Sequence, residues 1–412
     1  MTNKKETSYP KEKIRILFLE NISDAAVQRF KEEGYTQVEK LTKALSEEDL
    51  VKEIKNVHIL GIRSKTHITK KVLEAAEKLQ AIGCFCIGVN QVDLKAATDK
   101  GVVVFNAPYS NTRSVAELVI ANSVMLIRRL PDKIRAAHEG IWMKESKGAY
   151  ELRGKTLGII GYGNIGSQVS VLAEAMGMKV LFYDVETKLP LGNAKDAKTL
   201  KELVQKSDIV TLHVPDTAQT KYMITKNNLK YFKKGAILIN YARGEVVNLE
   251  DLSKFITDGH ISGAALDVFP WEPEKNGDKF TTPVQNLPNV ILTPHIGGST
   301  EEAQENIGVD VSTKLFNLIE KGITNGSHTV PGLALPSQDG VHRILHIHYN
   351  KPGVLSEINT LLSKNNINIT GQYLKTNDEI GYVVLDVEKG VSKKAAALLK
   401  DVKHTIKTRL LY

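Results

Sequence analysis

Short apolar runs alternate with longer amphipathic stretches through most of this chain, and the alternation predicts its architecture. Residues 14–19 read as an opening strand, and strand-like runs recur at 57–61, 79–89 and 102–105 with helical spacing between them. Strands alternating with helices imply a parallel sheet covered on both faces. The stretch 114–129 has helical length but carries apolar residues around most of its circumference, from Ala116 through Leu118, Val119 and Ile120 to Val124, Met125, Leu126 and Ile127. Such a helix is expected to be buried on more than one side, between domains or against another subunit. A second alternating series begins at Lys155, with strands expected at 156–160, 179–183, 209–213, 236–240, 261–266 and 290–292. A helix over 300–321 follows, where the chain is expected to return to its first unit.

The last part of the chain has a different rhythm. Strand (343–348), helix (352–365), strand (367–375), a tight turn at Asn377-Asp378, strand (381–388), helix (392–402) and strand (405–410) spell βαββαβ, the ferredoxin-like arrangement. The Pro- and Gly-containing run 330–336 reads as a linker before it. The predicted fold class is α/β, with two doubly wound parallel-sheet domains, one inserted in the other, and a C-terminal ferredoxin-like domain. The expected boundaries are 1–108 with 298–335, then 109–297, then 340–412.

Composition narrows the function classes. A chain of 412 residues exceeds one ordinary domain, and 42% apolar residues suffice for several cores. The net charge of +8 is spread along the chain, so it is read as a lysine-rich surface rather than a nucleic-acid site. The polar, lysine-rich start does not read as a secretory signal, and no apolar run is long enough to span a membrane. Cys84 and Cys86 stand too close to bridge and are expected to pack in a core in a reducing cytoplasm.

The first chemical motif is Gly161-Tyr162-Gly163-Asn164-Ile165-Gly166, a G-x-G-x-x-G loop that follows one predicted strand and opens a helix. The glycines permit a tight turn, close approach of a pyrophosphate, and close helix–strand packing, with the anion on the helix N-terminus. Asp184 ends the next strand, where a carboxylate accepts hydrogen bonds from the adenosine ribose and repels a 2′-phosphate. These residues predict a Rossmann-like site for NAD rather than NADP.

Three further segments each leave an apolar run and carry one chemical group: Arg243 in 240–244, Glu272 in 267–273, and His295 in the turn 293–298. In that order they suggest a carboxylate anchor, an acid that tunes a base, and the base itself.

Together with Asn111-Thr112-Arg113-Ser114-Val115-Ala116-Glu117, these motifs resemble the D-isomer-specific 2-hydroxyacid dehydrogenases, over nearly the whole chain beyond the first dozen residues. The βαββαβ unit narrows the resemblance to the branch that carries an ACT domain and acts on 3-phosphoglycerate. The resemblance implies NAD-dependent oxidation of 3-phospho-D-glycerate to 3-phosphohydroxypyruvate, the first step of phosphorylated serine synthesis, in a homotetramer. It makes His295 the acid/base, Glu272 its partner and Arg243 the carboxylate grip, and it adds Tyr241, Ala242, Asp267, Gly297 and Gly298 to the cofactor contacts alongside Arg243 and His295. It assigns Arg63, Ser64 and Asn111 to substrate, and Lys43, Trp142 and Lys144 to positions that reach a neighbouring subunit's site. Tyr241-Ala242 departs from the pattern, since smaller residues are common there. A dehydrogenase for another D-2-hydroxy acid, or an NAD-sensing corepressor without catalysis, remain the alternatives.

A βαββαβ domain also serves RNA-binding proteins, but strand 381–388 carries a single aromatic and no basic-aromatic signature, so no nucleic-acid partner is expected. The ACT resemblance implies an L-serine effector held by His348, Asn350 and Asn368 at an interface between two such domains. His346 and His348 share a strand face without a nearby third ligand, so no metal is expected. Only one glycine, in Asp339-Gly340, stands where the family often has two at the hinge.

Overall fold

Five parallel strands form the first sheet: β1 (Arg15–Phe18), β2 (Gln37–Lys40), β3 (Ile59–Ile62), β4 (Ala81–Cys84) and β5 (Val103–Asn106), in the order β2-β1-β3-β4-β5. Every residue of β3, β4 and β5 is buried, as expected of parallel strands covered on both faces. β2 was not anticipated. It has one apolar residue, Val38, and lies at the sheet edge, where alternate side chains face solvent. The computed structural model describes residues 9–273, 275, 277–338 and 340–412. The chain divides into two units, one built from the residues up to Ser110 together with Gln304–Tyr412, the other from Asn111–Ala303.

The second unit holds seven parallel strands: β6 (Thr156–Ile160), β7 (Lys179–Tyr183), β8 (Lys195–Asp196), β9 (Ile209–Leu212), β10 (Ala236–Asn240), β11 (Ile261–Leu266) and β12 (Val290–Leu292). Their order, β12-β11-β10-β9-β6-β7-β8, reverses direction between β6 and β9. Ligands of open α/β sheets bind beyond the carboxyl ends of the strands at such a switch point. The apolar helix expected over 114–129 spans Thr112–Ile127, and its exposed stripe is narrow: Arg113, Glu117 and Ala121. It ends where Arg129 adopts φ 54°, and a second helix, Leu130–His138, starts with Pro131 in its first turn.

The C-terminal strands β13 (His342–Tyr349), β14 (Ile369–Thr376), β15 (Ile380–Val387) and β16 (Thr405–Leu411) form an antiparallel sheet in the order β14-β15-β13-β16, the βαββαβ topology read from the sequence. Asn377 makes the turn between β14 and β15, its Oδ1 accepting from the Ile380 N–H at 2.7 Å. The helices Val354–Lys364 and Ser392–Lys400 contribute to a core with one face of this sheet. The other face, with Leu345, Ile347, Tyr382 and Val384, joins a single core with β1, β5 and the helix Glu301–Lys321.

The linker expected at 330–336 has no helix or strand and packs into that shared core. Val330 is buried in it, Leu333 and Leu335 pack against it, and Thr324 bonds the strap at both Pro331 O and the Leu333 N–H. An apolar sheet face left uncovered by its own helices must be covered by something, and here the strap and the first sheet's unit supply the cover. Arg343, fully buried, forks onto Asp386 at 2.7 and 2.8 Å and donates to the carbonyls of Lys321 and Pro336. Asp339, of the expected hinge, lies outside the described residues.

Candidate active site

The glycine loop is built as its spacing predicts. Gly161, at the end of β6, has φ +91°, and a Cβ there would sit 2.4 Å from the His213 carbonyl oxygen. A Cβ on Gly166 would meet the Gly161 carbonyl at 2.2 Å, whereas one on Gly163 would meet nothing within 4 Å. The first and third glycines are thus required by the protein, while the second borders open space that a ligand can use. The helix Asn164–Ala175 begins at Gly163 with no side chain capping its N–H groups, which leaves them free for an anion. Asp184 follows β7, accepting from the Tyr162 N–H at 2.8 Å and the Glu186 N–H at 3.0 Å. At the end of β9, on the other side of β6, stands His213, which sequence reasoning missed. Its buried Nδ1 has no partner, and burial pushes its pKa down to about 3, so the ring is neutral. An uncapped helix terminus, a carboxylate at the ribose position, an open cradle over Gly163 and an orphaned polar atom all fit a dinucleotide.

The three chemical groups come together in the same unit. His295 Nδ1 donates to Glu272 Oε2 at 2.8 Å, and Glu272 Oε1 accepts from the Phe269 N–H at 3.0 Å. The hydrogen bond to Glu272 raises the imidazole's pKa above its usual value, against an opposing effect of burial. Burial alone would lift the Glu272 carboxyl, but the bonds from His295 and Phe269 outweigh it and its pKa falls. Arg243 stands near enough for its charge to help lower Glu272 and to oppose the rise at His295. Its guanidinium also donates to the Ala242 carbonyl at 2.7 Å. A cleft of about 690 Å³ opens beside the pair, lined by Glu272, Phe280, Leu292, Pro294 and His295 among others.

A frame of buried polar groups holds the trio. His295 takes φ 54°, a left-handed conformation uncommon for a residue with a Cβ. The turn is pinned by Asp267, 2% exposed, whose carbonyl accepts from the His295 N–H. Its carboxylate accepts from Thr293 Oγ1 (2.6 Å), the Ile296 N–H (2.9 Å) and the Gly297 N–H (2.7 Å). Asp267 therefore orients the His295 turn as well as standing where the cofactor contact is expected. Asn240 braces the arginine loop, donating to the Arg243 carbonyl and accepting from the Ala242 N–H. Gly244 lets that loop lie on the Glu272 loop, since a Cβ would come within 2.1 Å of the Phe269 carbonyl carbon and oxygen. Tyr241 is buried, with its ring against Gly297 and its hydroxyl accepting from Asn122 Nδ2 at 2.7 Å. Burial, opposed by the bond to Thr293, pushes its phenol up to about 12. The tyrosine fills the space beneath the His295 turn.

The residues assigned to substrate fall into three groups. Arg63, Ser64 and Lys43 converge in the first unit around Glu20, which was not singled out from the sequence: its carboxylate bonds the Arg63 loop and its N–H donates to the Lys43 carbonyl. Asn111 is buried in the second unit, its amide against Gly298 and its Oδ1 without a partner. Trp142 and Lys144 lie on an exposed strap, Trp142 being 87% exposed.

The effector residues divide as well. His348, 2% exposed, lies over Gly381 and donates through Nδ1 to the Tyr349 carbonyl, while its Nε2 has no partner. Asn350 is nearby, donating to the Asn377 carbonyl. Asn368 sits at the opposite end of the sheet. His348 pairs with Gly381, but Ile369 pairs with Val387, which faces His342 at the start of β13. About six residues of strand at roughly 3.4 Å each separate the two ends, on the order of 20 Å. One copy does not bring the three together. No cluster of metal-ligating side chains occurs among the described residues, and none of their helices is long and apolar enough to cross a membrane.

Comparison with known proteins agrees with this geometry. Residues 120–297 match the family model for the D-isomer specific 2-hydroxyacid dehydrogenase NAD binding domain, and 344–408 match an AHAS small subunit-like ACT domain. The chain is 51% identical to a D-3-phosphoglycerate dehydrogenase of Dictyostelium discoideum, over 98% of this chain and 99% of that one. It is 48% identical to the D-3-phosphoglycerate dehydrogenase of Escherichia coli K12, over 99% of this chain and 100% of that one. Among solved structures, a D-lactate dehydrogenase from Aquifex aeolicus complexed with NAD and lactic acid aligns with TM-score 0.65 at 29% identity, covering 77% of this chain and 100% of that one. By near-complete coverage at about half identity, and with the glycine loop and the bonded His295–Glu272 pair in place, the chain belongs to the D-3-phosphoglycerate dehydrogenases of the D-isomer-specific 2-hydroxyacid dehydrogenase family.

Proposed function

We propose that the chain oxidises 3-phospho-D-glycerate to 3-phosphohydroxypyruvate with NAD, and that L-serine, the end product of the pathway this step opens, inhibits it. The observation that carries the chemistry is the His295–Glu272 pair at 2.8 Å. With Nδ1 committed to Glu272, the imidazole has Nε2 left for substrate, and it takes the C2 hydroxyl proton there. Glu272 fixes the tautomer and stabilises the imidazolium that forms. Arg243 grips the substrate carboxylate and polarises the C2 oxygen. The backbone of 161–166 and Asp184 would hold NAD, with Tyr241, Ala242, Asp267, Gly297 and Gly298 at its nicotinamide end; when bound, NAD supplies the acceptor for the C2 hydride.

Arg63, Ser64 and Asn111 are assigned to the phosphorylated substrate, and Lys43, Trp142 and Lys144 to a site completed by a second copy. The exposure of Trp142 supports that assignment, because a large aromatic so bare to water is typical of an unfilled protein contact. The opposite placement of Asn350 and Asn368 supports a serine site shared between two C-terminal domains, and the assembly that would pair them is read as a homotetramer. The reading includes a reducing, cytoplasmic setting, with which the free, closely spaced Cys84 and Cys86 are compatible.

The test is the rate of NADH formation with 3-phosphoglycerate and with D-glycerate, with and without serine. A preference of at least about tenfold in kcat/KM for the phosphorylated acid is expected, since each charge-assisted bond to phosphate contributes about 1.5–3 kcal/mol. Equal rates would reassign the chain to another D-2-hydroxy acid. Absence of turnover with either acid would favour an NAD-sensing role without catalysis. Unchanged rates at millimolar serine would remove the regulatory part alone.

A further inference from the structure

Glu20 follows β1 and is 8% exposed. Its carboxylate accepts three backbone N–H groups of a single loop: Arg63 at 3.1 Å, Lys65 at 3.0 Å and Thr66 at 2.9 Å. Its own N–H donates to the Lys43 carbonyl at 3.2 Å, and the N–H of Asn21 donates to the Leu41 carbonyl at 3.0 Å. Glu20 and Asn21 both hold positive φ, 61° and 53°, a conformation unfavourable for L-residues that persists only where surroundings impose it. On its far side the 63–66 loop is held by Gln91, whose Nε2 donates to the Arg63 carbonyl at 2.7 Å. The backbone of Arg63 is therefore clamped at both its N–H and its C=O. Among the described residues its side chain enters no ion pair.

A buried carboxylate beside residues that bind an anion looks like a contradiction in charge. The geometry resolves it. A run of backbone N–H groups converging on one point is itself an anion nest, and Glu20 fills that nest from within the chain. Three of the loop's N–H groups, those of Arg63, Lys65 and Thr66, are consumed, so recognition of an external anion falls to the Arg63 guanidinium and to Ser64, whose loop Glu20 holds in register. We propose that Glu20 is a positioning residue for the phosphate of the substrate, acting through Arg63. This rests on reading 63–64 as the phosphate-binding loop.

The experiment is a double-mutant cycle on the full-length enzyme with Glu20→Gln, Arg63→Ala and the pair, reading kcat, KM for 3-phosphoglycerate, KM for NAD and the melting temperature. Glutamine keeps the shape of Glu20 but turns an N–H₂ toward a donor-lined pocket, so the loop loses its fixed position without a cavity forming. Glu20→Gln is expected to raise KM for 3-phosphoglycerate by roughly tenfold, with kcat within about threefold and KM for NAD unchanged. In the Arg63→Ala background the same change should move that KM by less than about twofold, because residues that act through one another are not additive. Additive effects, or an unaltered KM with kcat lowered in proportion to the folded fraction, would overturn the assignment of Glu20 while leaving the loop's role intact. If Arg63→Ala alone left KM for 3-phosphoglycerate unchanged, the reading of the loop itself would fall, and that of Glu20 with it.

Discussion

His295 Nδ1 lies 2.8 Å from Glu272 Oε2, and the turn that presents the imidazole is tied by four hydrogen bonds to one buried aspartate, Asp267. The pair raises the imidazole's pKa. Oxidation needs the neutral ring to accept a proton, so kcat/KM for 3-phosphoglycerate should climb with pH through the His295 pKa. Reduction of 3-phosphohydroxypyruvate needs the imidazolium and should fall across the same window. Glu272→Gln removes the charge that raises the ring, so the acid limb of the oxidation profile should move to lower pH while its plateau drops. An unmoved limb in that variant would assign the ionisation to another group. His295→Ala should lower kcat by about 10²–10⁴-fold, with NAD binding intact by fluorescence titration.

Asp184 has two duties, and they predict a compound effect. It caps the glycine loop at the Tyr162 N–H, and it stands where the ribose hydroxyls are expected. Asp184→Ser should weaken NAD by roughly 10- to 100-fold, as expected for losing charge-assisted hydrogen bonds, and should narrow the preference over NADP by removing the repulsion of a 2′-phosphate. Kd values for both cofactors measured by calorimetry check it; an unchanged NAD/NADP ratio would dissociate Asp184 from cofactor choice.

Much of this was legible because the residues that carry it obey local rules. The glycine loop, the strand-end carboxylate and the apolar runs of the two parallel sheets each have a period or spacing that sequence displays. β2 and β8 were not legible, being short edge strands with almost no apolar signal. The packing of the strap 330–336 was not legible either, because proline and glycine mark irregular backbone without showing that it packs tightly where an apolar sheet face needs cover. Glu20 and Asn122 were invisible for another reason: each acts on residues far away in sequence, and nothing local distinguishes it from a surface polar residue.

Tyr241 is one such long-range case. Its hydroxyl accepts from Asn122 Nδ2, which also donates to the Leu118 carbonyl, so a helix of the second unit is bonded to the floor of the His295 turn. Tyr241→Phe strands one buried donor and should cost about 1–3 kcal/mol of stability. Tyr241→Ala should cost more, about 3–5 kcal/mol, because it also leaves a cavity under the catalytic turn. Urea denaturation gives both numbers. A smaller penalty for alanine than for phenylalanine would show that the turn collapses into the space.

Arg343 and Asp386 make a buried ion pair where the C-terminal sheet meets the helix Glu301–Lys321. Removing one partner leaves the other charged and desolvated, so Arg343→Ala should destabilise by about 3–5 kcal/mol. Replacing both, as in Arg343→Met with Asp386→Leu, should recover most of that loss, since apolar residues tolerate the same burial. Thermal melts of the three variants decide the matter. A double variant as unstable as the single one would mean that the bonds to Lys321 and Pro336 carry the junction instead.

The register of the C-terminal sheet makes a sharper demand on regulation. His348 and Asn350 stand at one end and Asn368 at the other, so a serine site using all three must borrow Asn368 from a second copy. Asn350→Ala and Asn368→Ala should each abolish inhibition by serine in homo-oligomers while leaving the uninhibited rate unchanged. Hetero-oligomers are different. In a two-fold pair of one Asn350→Ala chain and one Asn368→Ala chain, both lesions fall in the same shared site and the other site is intact. Unfolding and refolding an equimolar mixture should therefore restore partial serine inhibition that neither variant shows alone. If the mixture stays insensitive while refolded wild-type enzyme recovers its inhibition, the effector contacts must all come from one chain, and Asn368 must be struck from them.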